Sequence, residues 1–61
     1  MNSELARLLA VCGRAGIRVE YDMTLDTACV TMRDGQYVMR LGQIMQGLSE
    51  PAQAAVVAHE L

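Results

Sequence analysis

The stretch ACVTMRDGQYVMRL, residues 28–41, is the part of the sequence that decides the fold. Asp34-Gly35 at its centre suits a two-residue type I′ turn, in which both central residues take positive φ. On either side of this dipeptide every second residue is apolar, which is the period of a half-buried strand. The stretch therefore predicts a β-hairpin with strands over 28–33 and 36–41.

Closing the turn fixes the register of this hairpin. All residues on one face are then apolar, whereas the other face is mixed. A slip by one residue would move every side chain to the opposite face, so turn chemistry and hydrophobic pattern specify the same register. From the turn outward, the predicted pairs are Arg33–Gln36, Met32–Tyr37, Thr31–Val38, Val30–Met39, Cys29–Arg40 and Ala28–Leu41.

The sequence before the hairpin predicts a helix and a further strand. Residues 3–15 place four apolar side chains at helical spacing, with Ser3 or Asn2 as the N-cap. Gly16 can take the left-handed conformation that ends a helix. Residues 17–22 alternate apolar and polar residues, as expected for a half-buried strand. The helical apolar stripe consists of Leu5, Leu8, Leu9 and Cys12.

The sequence after the hairpin predicts a second helix. Residues 42–48 form a connection that includes a short helical turn. Ser49 is a favoured N-cap and Pro51 is tolerated in a first turn, so the segment 49–51 opens the helix. Residues 52–61 contain no breaker and are small and apolar nearly all round, which is typical of a buried helix.

These elements predict the fold class. Strands in one block between terminal helices are typical of an α+β protein with an antiparallel sheet. We expect residues 1–61 to form a single small domain, with the order helix, three-stranded antiparallel sheet, helix. Asp22, Asp26 and Asp34 are interpreted as turn residues, because aspartate serves backbone geometry there.

Composition excludes several classes of function. Seven acidic residues against five basic ones give a net charge of −2, which is the wrong sign for a nucleic-acid-binding surface. No apolar run approaches the roughly 18 residues that a membrane span requires. The two cysteines, Cys12 and Cys29, show no CxxC spacing, and nothing in the sequence demands a disulfide. No signal peptide is visible, since residues 1–4 lack a basic region, so we expect a cytoplasmic location.

Three segments carry a likeness to a known family: Gly16–Val19, Tyr37–Leu41, and Leu48–Gln53 leading into Val57-Ala58-His59-Glu60-Leu61. In their order and spacing these segments resemble the ImmA/IrrE family of zinc metallopeptidases. Members of that family carry a His-Glu-x-x-His motif. The resemblance implies that His59 matches the first zinc ligand and Glu60 the general acid/base. It also implies a role on phages or other mobile elements, where relatives act on repressor proteins.

The resemblance also predicts an incomplete metal site. The second histidine of the motif would fall two residues beyond Leu61, and a distal carboxylate ligand has no counterpart. A catalytic zinc needs three protein ligands and an open position. We therefore expect a truncated metallopeptidase-like domain that holds no zinc by itself, in which His59 and Glu60 are vestigial.

Three functional hypotheses follow. The first is a non-catalytic relative that binds and modulates a host or phage regulator. The second is the N-terminal excerpt of an active zinc endopeptidase that cleaves a repressor-type protein. The third is a self-associating structural or regulatory module, since small domains often gain stability from a partner chain. Candidate interface residues, each equally compatible with an ordinary core, are Tyr37, Met39, Leu41, Val56 and Val57.

Overall fold

The computed structural model describes residues 3–61, and its elements follow the predicted order. The helix and strand ends agree with the predicted ends to within about two residues. Asn2, the alternative N-cap, lies outside the described residues. In chain order the elements are α1 (Glu4–Arg14), β1 (Arg18–Tyr21), β2 (Ala28–Arg33), β3 (Gln36–Leu41), a 3-10 turn (Gln43–Met45) and α2 (Glu50–Glu60).

The hairpin of β2 and β3 confirms the predicted register at all six pairs, from Arg33–Gln36 to Ala28–Leu41. Its turn has φ of 52° at Asp34 and 79° at Gly35. Positive φ at both central residues is the property that a type I′ turn requires, and it matches the twist of the flanking strands. Local chemistry thus fixes this pair of strands.

The prediction of a purely antiparallel sheet is wrong, because β1 pairs parallel with β3. The strand order is β1-β3-β2, with β3 in the centre. The connection after β1 folds across the end of β3, where the Asp22 N–H donates to the Leu41 carbonyl oxygen at 2.9 Å. β2 therefore lies on the side of β3 opposite to β1. Since β2 runs opposite to β1 and the hairpin reverses the chain again, the strand between them is parallel to β1.

The segment before β2 passes very close to the backbone at Gly42, just after β3, and hydrogen bonds hold the two segments together. The N–H groups of Gly42 and Gln43 donate to the carbonyl oxygens of Thr27 and Leu25, each at 2.8 Å. A Cβ atom on Gly42 would lie 2.5 Å from the Leu25 carbonyl oxygen and closer still to that of Thr27. Only glycine allows the two backbone segments to approach this closely.

Both helices pack on one face of the sheet and against each other, with α1 next to β1 and α2 next to β2. Their N-caps are the predicted serines, since the hydroxyl of Ser3 accepts from the Ala6 N–H and that of Ser49 from the Ala52 N–H. Within residues 3–61, neither helix has the length and apolar content needed to span a bilayer. The buried core consists of Leu5, Leu8, Cys12, Met39, Leu41, Met45, Ala54 and Val57.

Candidate functional site

His59 and Glu60, the residues matched to the peptidase motif, lie in the last turn of α2. His59 is exposed and Glu60 is half-buried. Neighbouring residues on a helix point about 100° apart, so the two side chains leave the helix in different directions. A basic side chain near a helix C-terminus also interacts favourably with the helix dipole, which is sufficient to explain a histidine at this position.

The donor set for a catalytic zinc is not present in the described residues. Residues 3–61 contain no group of three or more His, Cys, Asp or Glu side chains arranged to hold a metal. Cys12 is fully buried in α1, where desolvation raises the pKa of its thiol and disfavours the thiolate that binds metals. The residues around His59 therefore do not fit the zinc site that the resemblance implies.

The candidate interface residues divide into two groups. Met39, Leu41 and Val57 are 0% exposed and belong to the core, so they offer no surface to another chain. Val56 is half-buried against the same core. Tyr37 differs from them, because 55% of it is accessible to solvent.

Tyr37 belongs to an apolar surface that the sequence did not single out. Met32 lies directly opposite it in the hairpin, and Val30 is next on the same face of β2. Met32 is 57% exposed and Val30 is 36% exposed. We call these three residues the hairpin patch. The sequence signal was present in the predicted pairing, which places Met32 opposite Tyr37 on the apolar face of the hairpin.

The opposite face of the sheet carries ion pairs. Glu20 on β1 accepts from both terminal nitrogens of Arg33 on β2, at 2.8 and 3.2 Å. This bridge passes over the central strand at the level of Val38, because Glu20 lies beside Arg40 and Arg33 beside Gln36. Val38 is 2% exposed although it is outside the core cluster. The bridge therefore shields an apolar side chain on a face without helices.

Asp22 is the most strongly perturbed carboxylate among the described residues. Hydrogen bonds from Thr24, then from Arg40, lower its pKa from the ordinary 3.8 to about 2. The Thr24 N–H and hydroxyl both donate to Asp22 Oδ1, at 3.0 and 2.6 Å, while Arg40 binds Oδ2. A carboxylate this acidic holds no proton near neutral pH, so it is unsuited to general acid chemistry. Asp22 is a turn residue, as predicted, with an additional ion pair that joins β1 to β3.

A shallow cleft lies where the two helices begin. It has a volume of about 170 Å³ and is lined by Ser3, Glu4, Leu5, Glu50 and Pro51. His59 is nine residues further along α2, which corresponds to roughly 14 Å at 1.5 Å per residue. The cleft is thus remote from the pair matched to the peptidase motif.

Comparisons with known protein families, with curated proteins and with solved structures found no match to this chain. The resemblance to ImmA/IrrE peptidases therefore stays a prediction, made from the short segments quoted above and from their order along the chain.

Proposed function

We propose that this chain is a non-catalytic relative of the ImmA/IrrE peptidases that works by binding a regulatory protein of its host or of a mobile element. The hairpin patch of Val30, Met32 and Tyr37 carries the proposal. It places large apolar side chains in solvent on the sheet face against which the helices pack. A cytoplasmic setting, in which both cysteines stay reduced, is part of this proposal.

The chemistry of the patch suits protein recognition. Methionine is unbranched and polarizable, so Met32 can adapt its shape to a partner. Tyrosine is enriched in the cores of interfaces, because its ring supplies apolar area while its hydroxyl keeps a polar contact. No charged side chain lies among the three patch residues, and depletion of charge is the compositional mark of an interface core.

Paired capture experiments test the proposal. The purified protein is immobilised and exposed to lysate of the source cells, and retained proteins are identified by mass spectrometry. A double variant, Met32→Ser with Tyr37→Ser, removes the apolar contacts of the patch. We expect it to lose at least 90% of a specific transcriptional regulator that the wild type retains, since a few buried anchors carry most of an interface's binding energy.

Ile44→Ser is the matched control, because Ile44 is 43% exposed but lies in the 3-10 turn outside the patch. It should retain the regulator as well as the wild type does. Circular dichroism of all three proteins checks that the fold is intact. Equal retention by the patch variant and the wild type, or capture of no regulator at all, would refute the proposal.

The zinc endopeptidase is the second candidate function, and it is favoured by the adjacent His59 and Glu60 on α2. The coding sequence after Leu61 provides the test. A histidine two residues on, followed at a distance by an acidic ligand, would identify residues 1–61 as part of an enzyme. Zinc titration of the product of the whole reading frame should then show one tight site that His59→Ala removes. A stop codon directly after Leu61 would exclude this candidate.

A further inference from the structure

One edge of the sheet is formed by β2, and the hairpin geometry determines which backbone groups it presents. The Gly42 N–H donates to the Thr27 carbonyl oxygen, so the pair one step beyond Ala28–Leu41 is a hydrogen-bonded pair. Hydrogen-bonded and non-hydrogen-bonded pairs alternate along an antiparallel ladder. Cys29, Thr31 and Arg33 therefore bond to β3, whereas Ala28, Val30 and Met32 direct their N–H and C=O groups to the free edge.

This edge lacks the features that normally prevent strand pairing. Outside the strand ladders, the backbone hydrogen bonds of residues 3–61 include none from Ala28, Val30 or Met32. The edge contains no proline and no lysine, which natural proteins use to block association. Its only charge is Arg33 at one end, and that guanidinium is bound by Glu20. The same edge carries Val30 and Met32 of the hairpin patch.

We propose that a second copy of this chain pairs antiparallel along β2 about a two-fold axis at Thr31, joining two three-stranded sheets into one of six strands. The inference rests on the proposed function to the extent that both use the hairpin patch. It differs in the partner, and it adds a defined strand register.

The sequence of the edge is complementary to itself about Thr31. In this register Val30 lies opposite Met32 of the second copy, and Met32 lies opposite Val30 of the second copy, as a two-fold interface requires. Both pairs use the outward backbone groups and exchange four hydrogen bonds in total. Arg33 faces Cys29 of the second copy, so no like charges oppose each other. Threonine faces threonine at the axis, which is a favourable cross-strand pair.

The neighbouring register fits less well. A two-fold axis at Val30 would place Met32 opposite Ala28 of the second copy, beside Leu41, where the helices already cover the sheet. An axis midway between two neighbouring residues of β2 would place residues of the apolar face opposite residues of the mixed face, because side chains alternate along a strand. The axis at Thr31 brings the exposed apolar residues Val30 and Met32 of the two copies together.

Cysteine cross-linking tests this geometry. Thr31→Cys is introduced together with Cys29→Ser, so that Cys12, buried in the core, is the only other thiol. The two copies of residue 31 would form a non-hydrogen-bonded pair with Cα atoms about 4.5 Å apart, which is within the range for a disulfide. Under mild oxidation at about 100 µM protein, we expect most of the chain to become a disulfide-linked dimer. Adding Met32→Lys should reduce the yield at least tenfold, because a charge then enters the edge.

Ala10→Cys in the same background is the control, since Ala10 is exposed on α1 away from the edge. Cross-linking of Thr31→Cys no greater than that of Ala10→Cys would overturn the inference. So would a monomer for the wild type at about 500 µM in sedimentation equilibrium. Thr31→Lys separates this inference from the proposed function, because it places two like charges at the axis but leaves the patch unaltered. Loss of self-association with continued capture of the regulator supports the inference, and capture without any self-association in the wild type overturns it while the proposed function stands.

Discussion

The two ends of the hairpin carry the same pattern but have opposite surroundings. At the end away from the turn, which we call the covered end, Met39 and Leu41 are fully buried beneath the helices. At the turn end, Met32 and Tyr37 lie on the same face of the same two strands, yet more than half of each is in contact with solvent. The strands do not change in character between the two ends. What changes is whether a helix lies above them.

This difference shows what an alternating pattern specifies. It determines which face of a strand is apolar, whereas coverage of that face depends on how much helical surface the chain can supply. Here α1 and α2 each have 11 residues and divide their apolar sides between the sheet and each other. The covered area therefore ends before the turn, and the remainder of the apolar row becomes the hairpin patch.

Two methionines on one face of the hairpin provide the most direct test of this difference in coverage. Met39→Ala should lower the free energy of unfolding by about 2–5 kcal/mol, because it leaves a cavity in the core. Met32→Ala should change it by less than about 0.5 kcal/mol, because the side chain is mostly exposed. Urea unfolding at low micromolar concentration, where self-association is minimal, measures both. Similar losses in the two variants would contradict the division of the hairpin into a covered end and an exposed turn end.

Gly42 anchors the covered end, because its backbone lies very close to the segment before β2. Gly42→Ala forces a methyl group against the carbonyl oxygens of Thr27 and Leu25, and we expect a loss of about 3 kcal/mol. Gly13→Ala is the matched control, since a Cβ there meets no atom within 4 Å and the position is helical. It should stabilise the protein by up to about 1 kcal/mol, as alanine is the better helix former. Thermal unfolding followed by circular dichroism distinguishes a loss of stability from a gain. Equal losses in the two variants would refute the close approach of the backbone at Gly42.

The turn end depends on a different glycine. Gly35 has φ of 79° in the type I′ turn, where a Cβ is strained although space is open around it. Gly35→Ala should cost about 1–2 kcal/mol, the usual penalty of a left-handed conformation. The effect is smaller than at Gly42 because it involves backbone strain without a collision. Chemical denaturation provides the measurement, and a gain in stability would show that the turn is of another type.

The sequence predicted the elements determined by local chemistry. Asp34-Gly35 specified the turn and the register, and both serine caps and the left-handed Gly16 were found where the pattern placed them. The parallel pairing of β1 could not be obtained in this way. It depends on the segment 22–27 crossing the end of β3, and that path is determined by backbone bonds to Leu41, Gly42 and Gln43 that no local pattern encodes.

The candidate site shows the same limit. Tyr37 was predicted as an interface residue and is exposed, but Met39 and Leu41 share its alternating pattern and are buried. Val57 on α2, predicted with them, is buried as well. Periodicity alone cannot separate these two groups, because exposure depends on the position of distant helices. His59 was identified from a short motif. A metal site is defined by several ligands that converge in space, which a single segment cannot establish.

The smallest predicted effect concerns the covered end at low pH. Hydrogen bonds from Thr24, and then the Arg40 guanidinium, hold the pKa of Asp22 at about 2, below its ordinary 3.8. A carboxyl group whose pKa is lower in the folded protein than in the unfolded chain contributes stability above the unfolded value. That contribution is fully present above about pH 4 and is lost as the pH falls toward 2. Asp22→Asn should therefore be less stable than the wild type at pH 7, with the difference shrinking between pH 4 and 2.

Unfolding midpoints in urea at pH 7, 4, 3 and 2 provide the measurement. Glu4 and Glu20 also have lowered pKa values, because Arg7 and Arg33 bind them, so both proteins should lose stability in acid. The informative quantity is the difference between the two proteins at each pH. Asp26→Asn is the control, since Asp26 is exposed on the same connection. A difference between the Asp22 variant and the wild type that stays constant down to pH 2 would mean that the carboxylate does not anchor β1 to the covered end.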